Sequence, residues 1–284
     1  MNTNSKEVIK GILRTMRVYR PAVYVYCRLE TLSVKGRDIL QFLWSPFPNG
    51  VFKKRGISDG LPFPPIRLVH LVTNTYSYEW FYATGVKGAQ CIRDIVKRNG
   101  FRMEAFRSIL DFGCGCGRVI RHWKGLAAHL SGSDYNPVLI DWCRENLSFA
   151  EFTTNTPEAM LPYDDEKFDF IYAISVFTHL TEESGKFWIG ELTRVLKPGG
   201  VMYLTFMGTT RVTHLPSELR EQFGAGQLVV TGQEYEMCNE CAAYHPEAYV
   251  RKYLSGGLKI VDFVPGGARD ANQDVFLFQK GSPD

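Results

Sequence analysis

The chain has 284 residues, 45% of them hydrophobic, and a net charge of +3. That is enough for one large domain with an extension or for two small ones. No run of about 18 uncharged apolar residues occurs, which excludes a membrane-spanning helix of the usual kind. The small net charge gives no reason to expect a nucleic-acid partner. The opening MNTNSKEVIKG lacks the charged start, apolar middle and small-residue cleavage site of a secretory signal. Seven cysteines, an odd and sparse set, do not make a disulfide scaffold, so a reducing cytoplasm is the expected location. The charge is uneven. Residues 1–60 hold 11 Lys/Arg against 4 Asp/Glu. This basic part is either a solvated helix face or a surface for an anionic partner.

Taken in chain order, residues 45–65 hold five of the 14 prolines and three glycines, so an extended or looped segment is expected. TNTYSYEWFYATG follows, with five aromatics within residues 76–82. That is too many for a solvated loop, and a lid that closes over a pocket is expected there. Gly88 to Gly100 reads as a helix, with Ile92, Ile95 and Val96 at i, i+3, i+4. From residue 106 strands and helices alternate. Strands are expected at 108–112, 128–133, 149–153, 168–174 and 201–206, then at 258–264 and 274–279. Asn136-Pro137 supplies an N-cap and a first-turn proline for one helix. Thr181 before Glu182 and Glu183 starts another, which KPGG at 197–200 ends. A further helix is expected at 246–254. Such alternation means a parallel sheet covered on both faces.

ILDFGCGCGRVIRHW at 109–123 joins a strand, a glycine bend and a helical pattern. Backbone N–H groups at such a bend cradle a ligand. A dinucleotide fold wants G-x-G-x-x-G, but the third glycine here is Gly117, and position 118 is Arg118. Asp111 also stands two places before Gly113, where its charge would repel a pyrophosphate and suit an ammonium group.

DFGCGCG resembles the first motif of the class I S-adenosylmethionine-dependent methyltransferases, of the type 11/12-like group. Three further stretches continue the resemblance in order: SGSDYNP, LPYDDEKFDFIYAISVFTHLTEE and ELTRVLKPGGVMYLTF. It covers residues 106 to about 206. It implies an α/β fold: a Rossmann-like, doubly wound, seven-stranded sheet in the order 3-2-1-4-5-7-6, with the last strand antiparallel. It also implies S-adenosyl-L-methionine as cofactor. Asp111, Gly113, Cys114, Gly115 and Gly117 would line the bend, and Asp134, 17 residues after Gly117, would accept the ribose hydroxyls. Tyr135 would lie near adenine, with Asn136, Thr156, Ile174 and Ser175 completing the cofactor set. Residues 1–105 would form a basic extension and aromatic lid, and 106–284 the methyltransferase domain, with 207–257 inserted to wall the acceptor.

Methyl transfer from a sulfonium needs chiefly alignment, and an oxygen acceptor also needs a base. His179, one turn past the strand at 168–174, is the first candidate. In phosphoethanolamine-type relatives a histidine there works with a lid tyrosine, which makes Tyr76, Tyr78 and Tyr82 candidates here. His245 is a weaker base candidate. Both histidines have bland readings, as a turn cap and as a packed helix-start residue. Ala173-Ile174-Ser175-Val176 replaces the N/D-P-P-Y tetrad of enzymes that methylate planar amino groups in DNA or protein glutamine. Cys238 and Cys241 make half of a zinc site, so no metal is expected. The expected function is methyl transfer to a small or medium polar metabolite, at oxygen before nitrogen. The alternative from another class is a cofactor-binding partner of a biosynthetic complex without turnover.

Overall fold

A computed structural model describes residues 39–54, 59–156, 159–233, 236 and 241–282. A seven-stranded sheet runs through it in the order β3-β2-β1-β4-β5-β9-β8. The strands are β1 (Ser108–Phe112), β2 (His129–Asp134), β3 (Glu151–Thr154), β4 (Phe168–Ala173), β5 (Leu196–Phe206), β8 (Lys259–Ala268) and β9 (Gln273–Gln279). β1 to β5 pair in parallel, and β9 lies antiparallel between β5 and β8. The chain therefore carries the doubly wound sheet with an antiparallel last strand. β5 begins five residues earlier than expected, because KPGG pairs irregularly before the register settles at Val201 opposite Phe170.

Side chains of the central strands alternate between two cores. Ile109, Phe170, Tyr172, Tyr203 and Leu277 pack on one face, and Leu110, Phe112, Ile171, Ala173 and Phe276 on the other. Both faces are covered, as parallel strands require. The helices are α1 (Ile39–Trp44), α2 (Pro46–Lys54), α3 (Ile66–Thr73), α4 (Tyr78–Arg98), α5 (Pro137–Asn146), α6 (Glu182–Val195), α7 (Ser217–Gly224) and α8 (Glu247–Tyr249), the last continuing as a wider π turn to Leu254. Asn136 caps α5, its side chain accepting from Val138 N, and Thr181 caps α6, accepting from Ser184 N. No helix among the described residues is long and apolar enough to cross a membrane.

The N-terminal part is more helical than its prolines imply. Pro46 and Pro48 fall in the first turn of α2, where a missing N–H leaves no bond unmade. Asn49 then ties α2 to the start of α4, donating to Tyr76 O (3.0 Å) and accepting from Tyr78 N (2.8 Å). α4 starts ten residues before Gly88. Ser77 caps it, accepting from Trp80 N, and Tyr78, Phe81, Gly85, Gly88, Ala89 and Ile92 form one buried stripe. The aromatic cluster is thus the first turn of a packed helix rather than a loop.

Arg121 fastens this part to the sheet. Its side chain has no solvent exposure, and its Nε donates to Asp59 (2.7 Å) while Nη2 donates to the carbonyls of Leu61 and Pro62. Its guanidinium also lies over the rings of Phe63, Phe81 and Tyr82. Residues 207–257 hold a small antiparallel pair, β6 (Val229–Thr231) and β7 (Ala242–Tyr244), beside the end of β5, where His245 N donates to Met207 O (2.7 Å).

Candidate active site

The carboxyl ends of β1, β2 and β4 open into a cavity of about 950 Å³. This is the edge where open α/β sheets bind ligands. The bend after β1 is made of glycines with left-handed backbone: φ is 76° at Gly113, 56° at Gly115 and 78° at Gly117. A side chain is excluded for a second reason. A Cβ on Gly113 would run into Val176, and one on Gly115 would come within 2.8 Å of Val72 Cγ2. The bend is held from below by Ser133 O, which accepts from Gly113 N (2.7 Å) and Cys114 N (3.0 Å).

Asp134 ends β2 and is buried at the cavity wall. Its two oxygens accept from Gly115 N and Asn136 N, both at 2.9 Å. Burial pushes its carboxyl up to about 6, against the pull of those N–H bonds. Asp111, on β1, is buried as well. Tyr172 donates its hydroxyl to Asp111 Oδ2 (2.7 Å), and Trp123 Nε1 donates to that hydroxyl oxygen (2.9 Å). Burial raises Asp111 to about 7, more than Tyr172 and the charge of Arg118 lower it. Two buried carboxylates beside a side-chain-free cradle fit a ligand with an ammonium group, a sulfonium and a ribose diol. A second acceptor pair remains on each carboxylate for such donors.

Ser175 sits at the end of β4 with φ of 59°, a left-handed conformation that a non-glycine residue keeps only when held. Three contacts hold it. Its N–H donates to Thr205 Oγ1 (2.8 Å), its hydroxyl donates to Gln273 Oε1 (3.2 Å), and Thr205 donates to the same oxygen (2.7 Å). The reversed backbone brings Val176 onto Gly113 and sends the chain into the turn Phe177–His179. His179 lines the cavity, and its Nδ1 lies 2.7 Å from the carbonyl oxygen of Cys241.

Of the residues expected at the site, Asp111, Gly113, Cys114, Gly115, Asp134, Tyr135, Asn136, Ile174, Ser175 and His179 line this cavity together. Gly117 packs behind the bend, where a Cβ would meet Leu147 at 2.5 Å. Thr156 lies outside the lining. His245 is buried under Phe206 and Tyr249, away from the cavity, and burial pushes its imidazole down to about 4. Tyr76 stacks on His70 at 4.1 Å, Tyr78 packs on Phe63 at 4.8 Å, and Tyr82 meets His122 edge-on at 5.3 Å, so none of the three lines the cavity. The cover over the glycine bend comes instead from α3: His70 to Asn74, with Val72 against Gly115, joined by Trp80. Sequence reasoning also missed Arg118, Arg211 and the 269–273 turn. Cys241 is buried, and Cys238 lies outside the described residues.

Residues 110–204 match the methyltransferase domain family. Over those residues the chain carries a class I S-adenosylmethionine-dependent methyltransferase domain. This methyltransferase domain supplies the cradle and both buried carboxylates. Over 148 residues the chain is 30% identical to a sterol 24-C-methyltransferase of Schizosaccharomyces pombe, covering 46% of this chain and 38% of that protein. Over 103 residues it is 30% identical to a malonyl-[acyl-carrier protein] O-methyltransferase of Salmonella typhimurium, covering 35% of this chain and 39% of that one. The chain therefore spans well under half the length of these two relatives. A solved S-adenosylmethionine-dependent methyltransferase from Clostridium acetobutylicum shares the methyltransferase fold, with a TM-score of 0.53 and 14% identity over 69% of this chain and 92% of that one.

Proposed function

We propose that this protein transfers the methyl group of S-adenosylmethionine to a hydroxyl oxygen of a small polar molecule. The position of His179 carries this reading. A carbonyl oxygen only accepts, so the bond to Cys241 O places the ring hydrogen on Nδ1. The neutral ring then bears its lone pair on Nε2, the nitrogen that takes a proton. The cofactor, when bound, supplies an activated sulfonium methyl. The chain's own residues do the rest. Asp111 would hold the amino-acid end of the cofactor, Asp134 would accept from its ribose, and α3 with Trp80 would exclude water from above. His179 Nε2 would accept the hydroxyl proton as the acceptor oxygen takes the methyl group. Met207, Arg211 and residues 269–273, which line the same cavity, would wall the acceptor.

The test is His179→Asn, assayed by S-adenosylhomocysteine release across a panel of hydroxyl and amine compounds. An asparagine side chain still hydrogen-bonds but takes no proton at neutral pH. With a hydroxyl acceptor, turnover should fall by about 10²–10⁴ while cofactor affinity stays put. Turnover near wild type with a hydroxyl acceptor removes His179 from the mechanism. Turnover confined to amines replaces the oxygen reading with nitrogen transfer.

A further inference from the structure

Three arginines line the cavity, and they differ in how their charge is met. Arg118 pairs with Asp270 at 3.1 Å, and Arg269 with Asp94 at 2.9 Å. Arg211 meets only main-chain carbonyls. Its Nη2 donates to Ala271 O (2.7 Å) and its Nε to Asn272 O (3.3 Å), and among the described residues no carboxylate lies within ion-pair distance of it. Carbonyls orient a guanidinium without neutralising it. Both hydrogens of Nη1 and one of Nη2 remain for a partner, which is enough to grip an oxyanion at two points.

The fork is fixed before any ligand arrives. Arg211 stands on the loop after β5, and its own N–H donates to Gly208 O (3.0 Å). Thr210 Oγ1 donates to Asn272 O (3.1 Å), the carbonyl that also receives Arg211. Asn272 holds a left-handed φ of 53°, which turns the β8–β9 hairpin toward this loop. The acidic lining residues offer Arg211 no counter-charge: Asp270 serves Arg118, and Asp111 and Asp134 stand at the glycine bend. An anion is the complement this end of the cavity lacks.

We infer that the acceptor carries an oxyanion, a carboxylate or a phosphate ester, and that Arg211 binds it so that the acceptor hydroxyl reaches His179. The role at His179 rests on the proposed methyl transfer, but anion capture by Arg211 is measurable without turnover. The full chain, saturated with S-adenosylhomocysteine, is titrated by calorimetry with malonate, with inorganic phosphate and with neutral malonamide. One of the two anions should saturate in the millimolar range and malonamide should not. Stronger binding of malonate assigns a carboxylate, and stronger binding of phosphate assigns a phosphate ester. Arg211→Gln should weaken the preferred anion about tenfold or more, Arg211→Lys should keep part of the affinity, and S-adenosylhomocysteine affinity should not change in either. Three results overturn the inference: neither anion saturating by about 50 mM, anion binding unchanged in Arg211→Gln, or loss of S-adenosylhomocysteine affinity in that variant. The last would assign Arg211 to the cofactor. Failure of the hydroxyl reading is distinguishable, because it leaves anion binding intact and shows only in the turnover of His179→Asn.

Discussion

Arg121→Met is the substitution that asks whether the N-terminal part is held to the sheet by one buried charge. Methionine keeps an apolar stem among Phe63, Phe81 and Tyr82 but removes every guanidinium bond. Asp59 then loses its partner, and the carbonyls of Leu61 and Pro62 lose a donor. Breaking one side of a buried ion pair costs about 3–5 kcal/mol. Asp59 keeps 12% exposure of its side chain, so water relieves part of the loss and about 3 kcal/mol is expected. Urea unfolding measures this, and limited proteolysis should cut the variant between residues 59 and 106 while the sheet resists. The acid limb gives a second reading. Burial pushes the Asp59 carboxyl up from 3.8, but its bonds to Arg121 and to Leu61 N, with the guanidinium charge, outweigh this and leave it lowered. A lowered carboxyl stabilises the fold above its unfolded value, and that share is lost as pH falls through the folded value. Arg121→Met should flatten that limb. Asp59→Asn added to Arg121→Met should recover part of the loss, since the orphaned charge goes with it. A cost under about 1 kcal/mol, or a double variant worse than the sum of the two single ones, refutes the reasoning.

Two other predictions concern the cofactor end. Burial first, opposed by Tyr172 and Arg118, raises Asp111 to about 7. The folded state therefore keeps a proton that the unfolded state releases, and Asp111 should lower stability as pH rises from 3.8 toward 7. Only the ionised form attracts an ammonium group, so S-adenosylmethionine affinity should rise over that upper range, and calorimetry on Asp111→Asn should show a smaller rise, the remainder coming from Asp134, which burial raises to about 6. An identical rise in the variant would assign it elsewhere. Gly115→Ala should destabilise by roughly 1–2 kcal/mol from its left-handed backbone alone and weaken the cofactor further through the clash with Val72. Adding Val72→Ala should restore the clash share but not the backbone share; equal affinities in the single and double variants would show that α3 does not close on the bend.

The methyltransferase half of the site was legible because its demands are local. Positive φ at Gly113, Gly115 and Gly117 requires glycine, and Asp134 follows at the end of the neighbouring strand, so a short stretch of sequence records both. Strand positions followed from apolar runs covered on both faces, within a residue or two at most ends. The rest of the cavity lining left no such record. Gln41, Val72, Trp80, Arg211 and Asn272 meet only because separate strand ends and loops converge, and no spacing in the chain marks them. The aromatic cluster misled for a definable reason. Tyr76, Tyr78 and Tyr82 suggest side chains for a pocket, whereas the cap at Ser77 and the stripe Tyr78, Phe81, Gly85 spell the first turns of a buried helix.

The chain of hydroxyl and indole behind Asp111 gives the protein an optical signal of its own. A phenol hydroxyl has one hydrogen to donate. While Tyr172 gives it to Asp111, the phenol oxygen must accept from Trp123, and the run of bonds has a single direction. Once Asp111 takes up a proton, the carboxyl needs that hydrogen less and the phenol is released to turn. The indole N–H then faces a different dipole, in a setting with no solvent exposure. Indole emission shifts with such local fields, so Trp123 reads the charge state of a carboxylate at the cofactor cradle from the far side of Tyr172. No other tryptophan donates to Tyr172. A spectroscopist with a pH titration and a Trp123→Phe control therefore has access to the ionisation of Asp111 in the intact protein, with no label attached.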